Sequence, residues 1–170
     1  IAAIIVFGYS LWTFVGFNEI QSTAVVLGVV IGLVSTGGFV QVIGKQASFY
    51  WNYEDYMMTN KTINYLHKIG MLSIFFVLTA IFLVNFFFHI YPYEILFVVF
   101  AYAFFVGMLL LMLAPLHTIK QRWVITFSIF SGTAVAIFLK ETTPLLIFAT
   151  HWIGIAVAII IAKVFLMVYF

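Results

Sequence analysis

Four histidines are the side chains of this sequence best suited to hold a haem or a metal. His67 and His117 fall near the ends of two apolar runs on one face of a membrane, and His89 and His151 fall toward the other face. One haem between each pair is a conceivable arrangement, because neutral imidazole is a good axial ligand. Spacing argues against it. No HxxxH or other close ligand pair exists. His67, His89 and His117 sit at run boundaries, where a polar ring is comfortable without a ligand. Only His151, beside Trp152 and one or two turns inside an apolar run, is placed deep enough for a buried role. The sequence therefore names no cofactor and no metal site, and these four remain the haem candidates.

The five carboxylates, Glu19, Glu54, Asp55, Glu94 and Glu141, all fall between apolar runs. Ion-coupled carriers keep an ionisable group inside the bundle to hold the ion, so their placement argues against a self-contained pump. Cysteine is absent, which removes thiolate metal sites, thiol chemistry and disulfides. No residue reads as catalytic, and the chain is not expected to be an enzyme.

The elements that position these residues follow from composition. Of 170 residues, 66% are hydrophobic, 20% aromatic and only 7% charged, with a mean hydropathy of +1.24. Soluble domains carry about 25% charged residues, so this chain could not cover a surface facing water. It reads as a single polytopic membrane domain over residues 1–170. The net charge of +2 is too small to suggest a nucleic-acid partner. A crossing helix needs roughly 20 mostly apolar residues. Six runs qualify: 1–17, 23–44, 68–89, 95–115, 123–139 and 145–168. The fold class expected is an all-α bundle of six transmembrane helices, since spans must satisfy their own backbone hydrogen bonds in lipid. Pro92, Pro115 and Pro144 all fall at the ends of these runs.

The first run lacks a basic leader and a cleavage site, so it reads as a span and not as a signal peptide. The chain opens on Ile1 and closes inside an apolar run, which reads as part of something longer. Lys45, Lys61 and Lys68 in the second connection, with Lys120 and Arg122 in the fourth, outnumber Lys140 in the other three. That bias places the second and fourth connections, and both termini, in the cytoplasm. The membrane expected is the cytoplasmic one, or an organellar inner membrane.

Polar and small residues inside the runs mark contacts. Gly28 and Gly32 form a GxxxG, followed by Gly37 and Gly38, and small residues at this spacing let helices approach closely. The adjacent Gly37 and Gly38 also read as a place where the helix loosens. Gln41, Asn85, His151 and Lys163 are the side chains that could line a polar cavity, or else bond between helices. Lys163 can also snorkel to the interface. Tyr50, Trp51, Tyr53, Tyr56 and Trp123 read as anchors at headgroup depth. The segment from 45 to 67 is expected to lie along the membrane surface as an amphipathic helix.

The order of these parts resembles a known family. The second helix "VVIGLVSTGGFVQVIGK", the aromatic segment "SFYWNYEDYMMTNKTINYLHK" and the third helix "IGMLSIFFVLTAIFLVNFFF" look like the six-helix lobe of the multidrug/oligosaccharidyl-lipid/polysaccharide exporter superfamily. "LLLMLAPLHTIKQRWVITFSIFSGT" continues the likeness, which is strongest to the polysaccharide branch, including Pel-type exopolysaccharide transporters. The resemblance implies a flippase-like domain that moves lipid-linked oligosaccharide or polysaccharide across the membrane. It also implies a second six-helix lobe, supplied elsewhere or by a homodimer partner. The cationic cavity residues of such proteins have no clear match here beyond Lys163. A second reading is an accessory, non-catalytic subunit of a large respiratory or other membrane complex. A third is a haem-binding, quinone-linked anchor. Membrane lipids are partners in every case.

Overall fold

The computed structural model describes residues 19–144 and 147–170. Among them run five helices, which we number α1 (Glu19–Asn52), α2 (Tyr56–Phe88), α3 (Tyr93–Thr118), α4 (Arg122–Thr142) and α5 (Ile147–Tyr169). All five are long and apolar enough to cross a membrane. The expectation of six helices is corrected to five among the described residues, and the expected span 1–17 lies outside them. An all-helical, multi-pass membrane bundle is what the five helices form.

The largest departure is at the second connection. The segment from 45 to 67 does not lie along the surface. Instead α1 and α2 run on as continuous helices of 34 and 33 residues, and only Tyr53 to Asp55 lie between them. At 1.5 Å per residue each is about 50 Å long, against a hydrocarbon core of about 30 Å. The hairpin therefore reaches past the core. Its turn is closed by hydrogen bonds from Glu54 N–H to Trp51 O and from Asp55 N–H to Tyr50 O. Glu54 takes the left-handed conformation at φ 62°, the place where helix ends usually carry glycine. Asp55 then caps α2 by accepting from Met58 N–H at 3.0 Å. The same closure ends α3, where Lys120 is left-handed and Gln121 N–H reaches Leu116 O.

Helix α3 is the centre of the bundle. Its Leu111 joins Ile43, Ile63 and Ile74 in one buried cluster, and its Met112 and Leu116 join Val124, Ala162 and Leu166 in another. Helix α1 packs mainly on α3, and α4 mainly on α5. Lipid tails are as apolar as leucine, so these contacts depend on close approach and not on exclusion of water. Glycines provide it. A Cβ at Gly28 would stand 2.7 Å from Tyr102 Cβ and Val99 O, and one at Gly32 would stand 2.8 Å from Ala103 O. A Cβ at Gly154 would meet Gly132 O at 2.6 Å and Ala136 Cβ at 2.8 Å. Gly37 and Gly38 are different. Nothing lies within 4 Å of a Cβ built on either, and α1 passes through both without a break. Neither packs a helix nor loosens one.

At one end the bundle gathers Trp51, the α3–α4 turn and the close of α5. The Trp51 ring lies tilted against Tyr169 at a centroid distance of 6.0 Å and edge-on to Phe170 at 6.3 Å. This end carries Lys45, Lys61, Lys120 and Arg122, and the opposite end carries the turn at 89–92 and Thr143.

Candidate functional site

The candidate histidines have different environments. His89 and His117 are exposed at the ends of α2 and α3, and His89 takes the left-handed conformation that ends α2. His67 is buried against α3 and donates its Nε2–H to the carbonyl of Leu111 at 2.6 Å. The reason is Pro115. Helix α3 continues past this proline to Thr118, so Pro115 lies inside the helix, in its last turn. Proline has no N–H, which leaves the carbonyl four residues earlier without its helical donor. That carbonyl belongs to Leu111. His67 supplies the missing proton from the neighbouring helix, and its Nδ1 is buried with no hydrogen-bond partner.

His151 belongs to a different place. Its Nδ1 lies 3.0 Å from the hydroxyl of Tyr102, which the sequence did not single out. Side chains on a helix lean toward its start, so Tyr102 reaches back along α3 toward the first turns of α5, where His151 sits. Phe148 and Trp152 pack their rings around the pair at centroid distances of 6.1 and 5.9 Å from Tyr102.

This pair stands in the wall of a cleft on the flank of the bundle. The cleft, of about 230 Å³, separates the α1–α3 pair from the α4–α5 pair. Val29, Leu109, Ile129, Ile137 and Ile155 line it, all half-buried or exposed, so it opens on the flank of the bundle. Its polar groups are Tyr102, His151 and Thr133, whose hydroxyl donates to Ile129 O at 2.8 Å. Gly132 and Gly154, where α4 and α5 touch, form its floor. Among the described residues no group of three or more His, Cys, Asp or Glu could hold a metal ion. His67 is turned to the Leu111 carbonyl and His151 to the Tyr102 hydroxyl, while His89 and His117 are exposed.

The remaining candidates separate by environment. Gln41 is exposed on α1 and is not part of the flank cleft's lining. Asn85 is buried, and its side chain bonds to the turn that follows α2. Its amide donates to Tyr91 O at 3.1 Å and accepts from Tyr91 N–H at 2.8 Å, which latches the turn between α2 and α3. Lys163 lines a small cleft between α2 and α5. Tyr53, Tyr56 and Trp123 are exposed, Tyr50 is half-buried, and Trp51 is packed into the end of the bundle.

Several contributors were missed from sequence. Gly107, Gly132 and Gly154 make close helix contacts. Each is half of a small-xxx-small pair, with Ala103, Ala136 and Ala158, the same spacing that marked Gly28 and Gly32. No family model matches the chain, and neither a curated protein nor a solved structure matches it.

Proposed function

We propose that the protein is a lipid-handling module of a membrane transport assembly, with a flippase-like part in moving lipid-linked oligosaccharide or polysaccharide across the membrane. The observation that carries this reading is the flank cleft between α1–α3 and α4–α5, apolar along its length with one polar pair in its wall. Ligand pockets for drug-sized molecules run roughly 300–1,000 Å³. At about 230 Å³ and with three polar side chains, this cleft suits a length of hydrocarbon chain and not a sugar. The Tyr102–His151 pair gives the wall one polar point, where the first polar atoms of the lipid would lie. Recognition of the glycan then falls to other surfaces of the assembly, in keeping with a second lobe or a partner chain.

The long α1–α2 hairpin favours a second reading, the accessory subunit. It carries Phe49, Tyr53, Tyr56 and Met57 exposed at 51–73% near its tip, where a larger complex could seat it. Native mass spectrometry of the detergent-purified protein with a polyisoprenyl phosphate distinguishes the two. The lipid module retains this lipid, and Ile137→Trp, which fills the cleft from its half-buried wall, lowers retention severalfold. Equal retention by both proteins would refute lipid handling through this cleft. Retention without any leaflet exchange in proteoliposomes would favour the accessory subunit.

A further inference from the structure

We propose that the cleft between the start of α2 and the end of α5 binds the phosphate of an anionic lipid. These two helices barely touch. Between them lies a space of about 180 Å³, lined by Lys163, Asn60 and Asn64 on its polar side and by Ile63, Leu166 and Met167 on its apolar side. The chemistry is that of an anion site. Lys163 brings a full positive charge, and no carboxylate lines the cleft. Asp55, one turn before Asn60, has its carboxylate engaged in capping α2. Asn64 donates to Asn60 Oδ1 at 2.9 Å, which commits the Asn60 oxygen as an acceptor and leaves its two N–H groups to meet a ligand.

Depth points to a lipid. Lys163 precedes Tyr169, the last residue of α5, by six positions, or about 9 Å along the axis, within reach of the headgroup layer for a lysine stem. Asn60 lies in the second turn of α2, close to the hairpin tip. A phosphate held between them leaves its acyl chains beside Leu166 and the 69% exposed Met167. Basic pockets between membrane helices bind anionic headgroups in this way, with a contribution of about a factor of five per lysine. This site lies at the lysine-rich end, away from Tyr102 and His151, and does not depend on the lipid-chain cleft.

The test is native mass spectrometry of the whole chain in a nonionic detergent, with phosphatidylglycerol and phosphatidylcholine of matched chains. The wild-type protein should prefer phosphatidylglycerol. Lys163→Gln should reduce that preference about fivefold, Asn60→Leu should reduce it less, and Lys163→Arg should keep it. Lys61→Gln, an exposed lysine outside the cleft, should leave it within about twofold. Circular dichroism of each variant separates loss of the site from loss of fold. Inorganic phosphate at constant ionic strength identifies the source. Competition would mean that phosphate alone suffices, and its absence that the chains are needed too; both support a phosphate site. A preference unchanged in both Lys163→Gln and Asn60→Leu would overturn it. So would an equal loss in Lys61→Gln, since diffuse surface charge would then explain the binding.

Discussion

His67 donates across a helix boundary to a carbonyl that Pro115 has left without its donor, and this pairing can be tested by a double-mutant cycle. His67→Leu removes the donor while roughly keeping the volume. A buried acceptor left unsatisfied costs about 1–3 kcal/mol, and side-chain hydrogen bonds between membrane helices average about 0.6 and reach about 1.7 kcal/mol. The unpartnered Nδ1 of His67 disappears in the same substitution, which offsets part of the loss. A net cost of about 1 kcal/mol is expected in the Pro115 background. Pro115→Ala restores a backbone N–H four residues after Leu111, so the helix satisfies the carbonyl itself. In that background His67→Leu should cost less than about 0.5 kcal/mol, and His67→Gln in the Pro115 background should recover part of the bond. The assay is unfolding of the purified protein in mixed micelles by increasing dodecyl sulfate, followed by tryptophan fluorescence. The coupling energy should be near 1 kcal/mol. Equal costs of His67→Leu in both backgrounds, within about 0.3–0.5 kcal/mol, would refute the link between proline and histidine.

Other positions give shorter tests with the same unfolding assay. Gly28→Ala and Gly154→Ala should each destabilise by about 1–3 kcal/mol, because their methyl groups meet helix backbone at 2.7 and 2.6 Å. Gly38→Ala, with open space around it, should be neutral or stabilising by up to about 1 kcal/mol. Glu54→Gly should stabilise by about 1 kcal/mol through relief of the left-handed backbone at the hairpin tip. Asn85→Leu should cost about 1–3 kcal/mol, since it breaks both bonds that latch the turn at Tyr91, and should speed hydrogen exchange at 89–92.

The membrane class was legible because composition decides it: so few charges leave no way to build a watery surface. The centres of the spans from 23 onward were legible too, and Gly28 and Gly32 were marked by their spacing. Boundaries were not. The polar residues from 45 to 67 suggested an exit from the helix, yet polar side chains do not end a helix that continues into water. The turn itself rests on a left-handed Glu54, and glutamate carries no turn signal of the kind glycine does. Pro115 was misplaced for a related reason. A proline within the last turn of a helix is tolerated when another donor reaches the freed carbonyl, and that donor, His67, comes from 44 residues away in sequence. The Tyr102–His151 contact spans 49 residues. Nothing local distinguishes Tyr102 within a chain so rich in aromatics, so only packing could find it.

The flank cleft is the centre of the functional account, and a polyisoprenyl phosphate with a photoreactive diazirine in its chain probes it most directly. After irradiation in vesicles, the crosslinks should concentrate on peptides covering 129–137 of α4 and 151–158 of α5, and Ile137→Trp should suppress them. The exposed face of α2 is the internal control, because Phe76, Phe87 and Phe88 are 73–78% exposed and meet bulk lipid. Crosslinks spread as heavily over α2 as over the cleft, and unchanged by Ile137→Trp, would contradict the account.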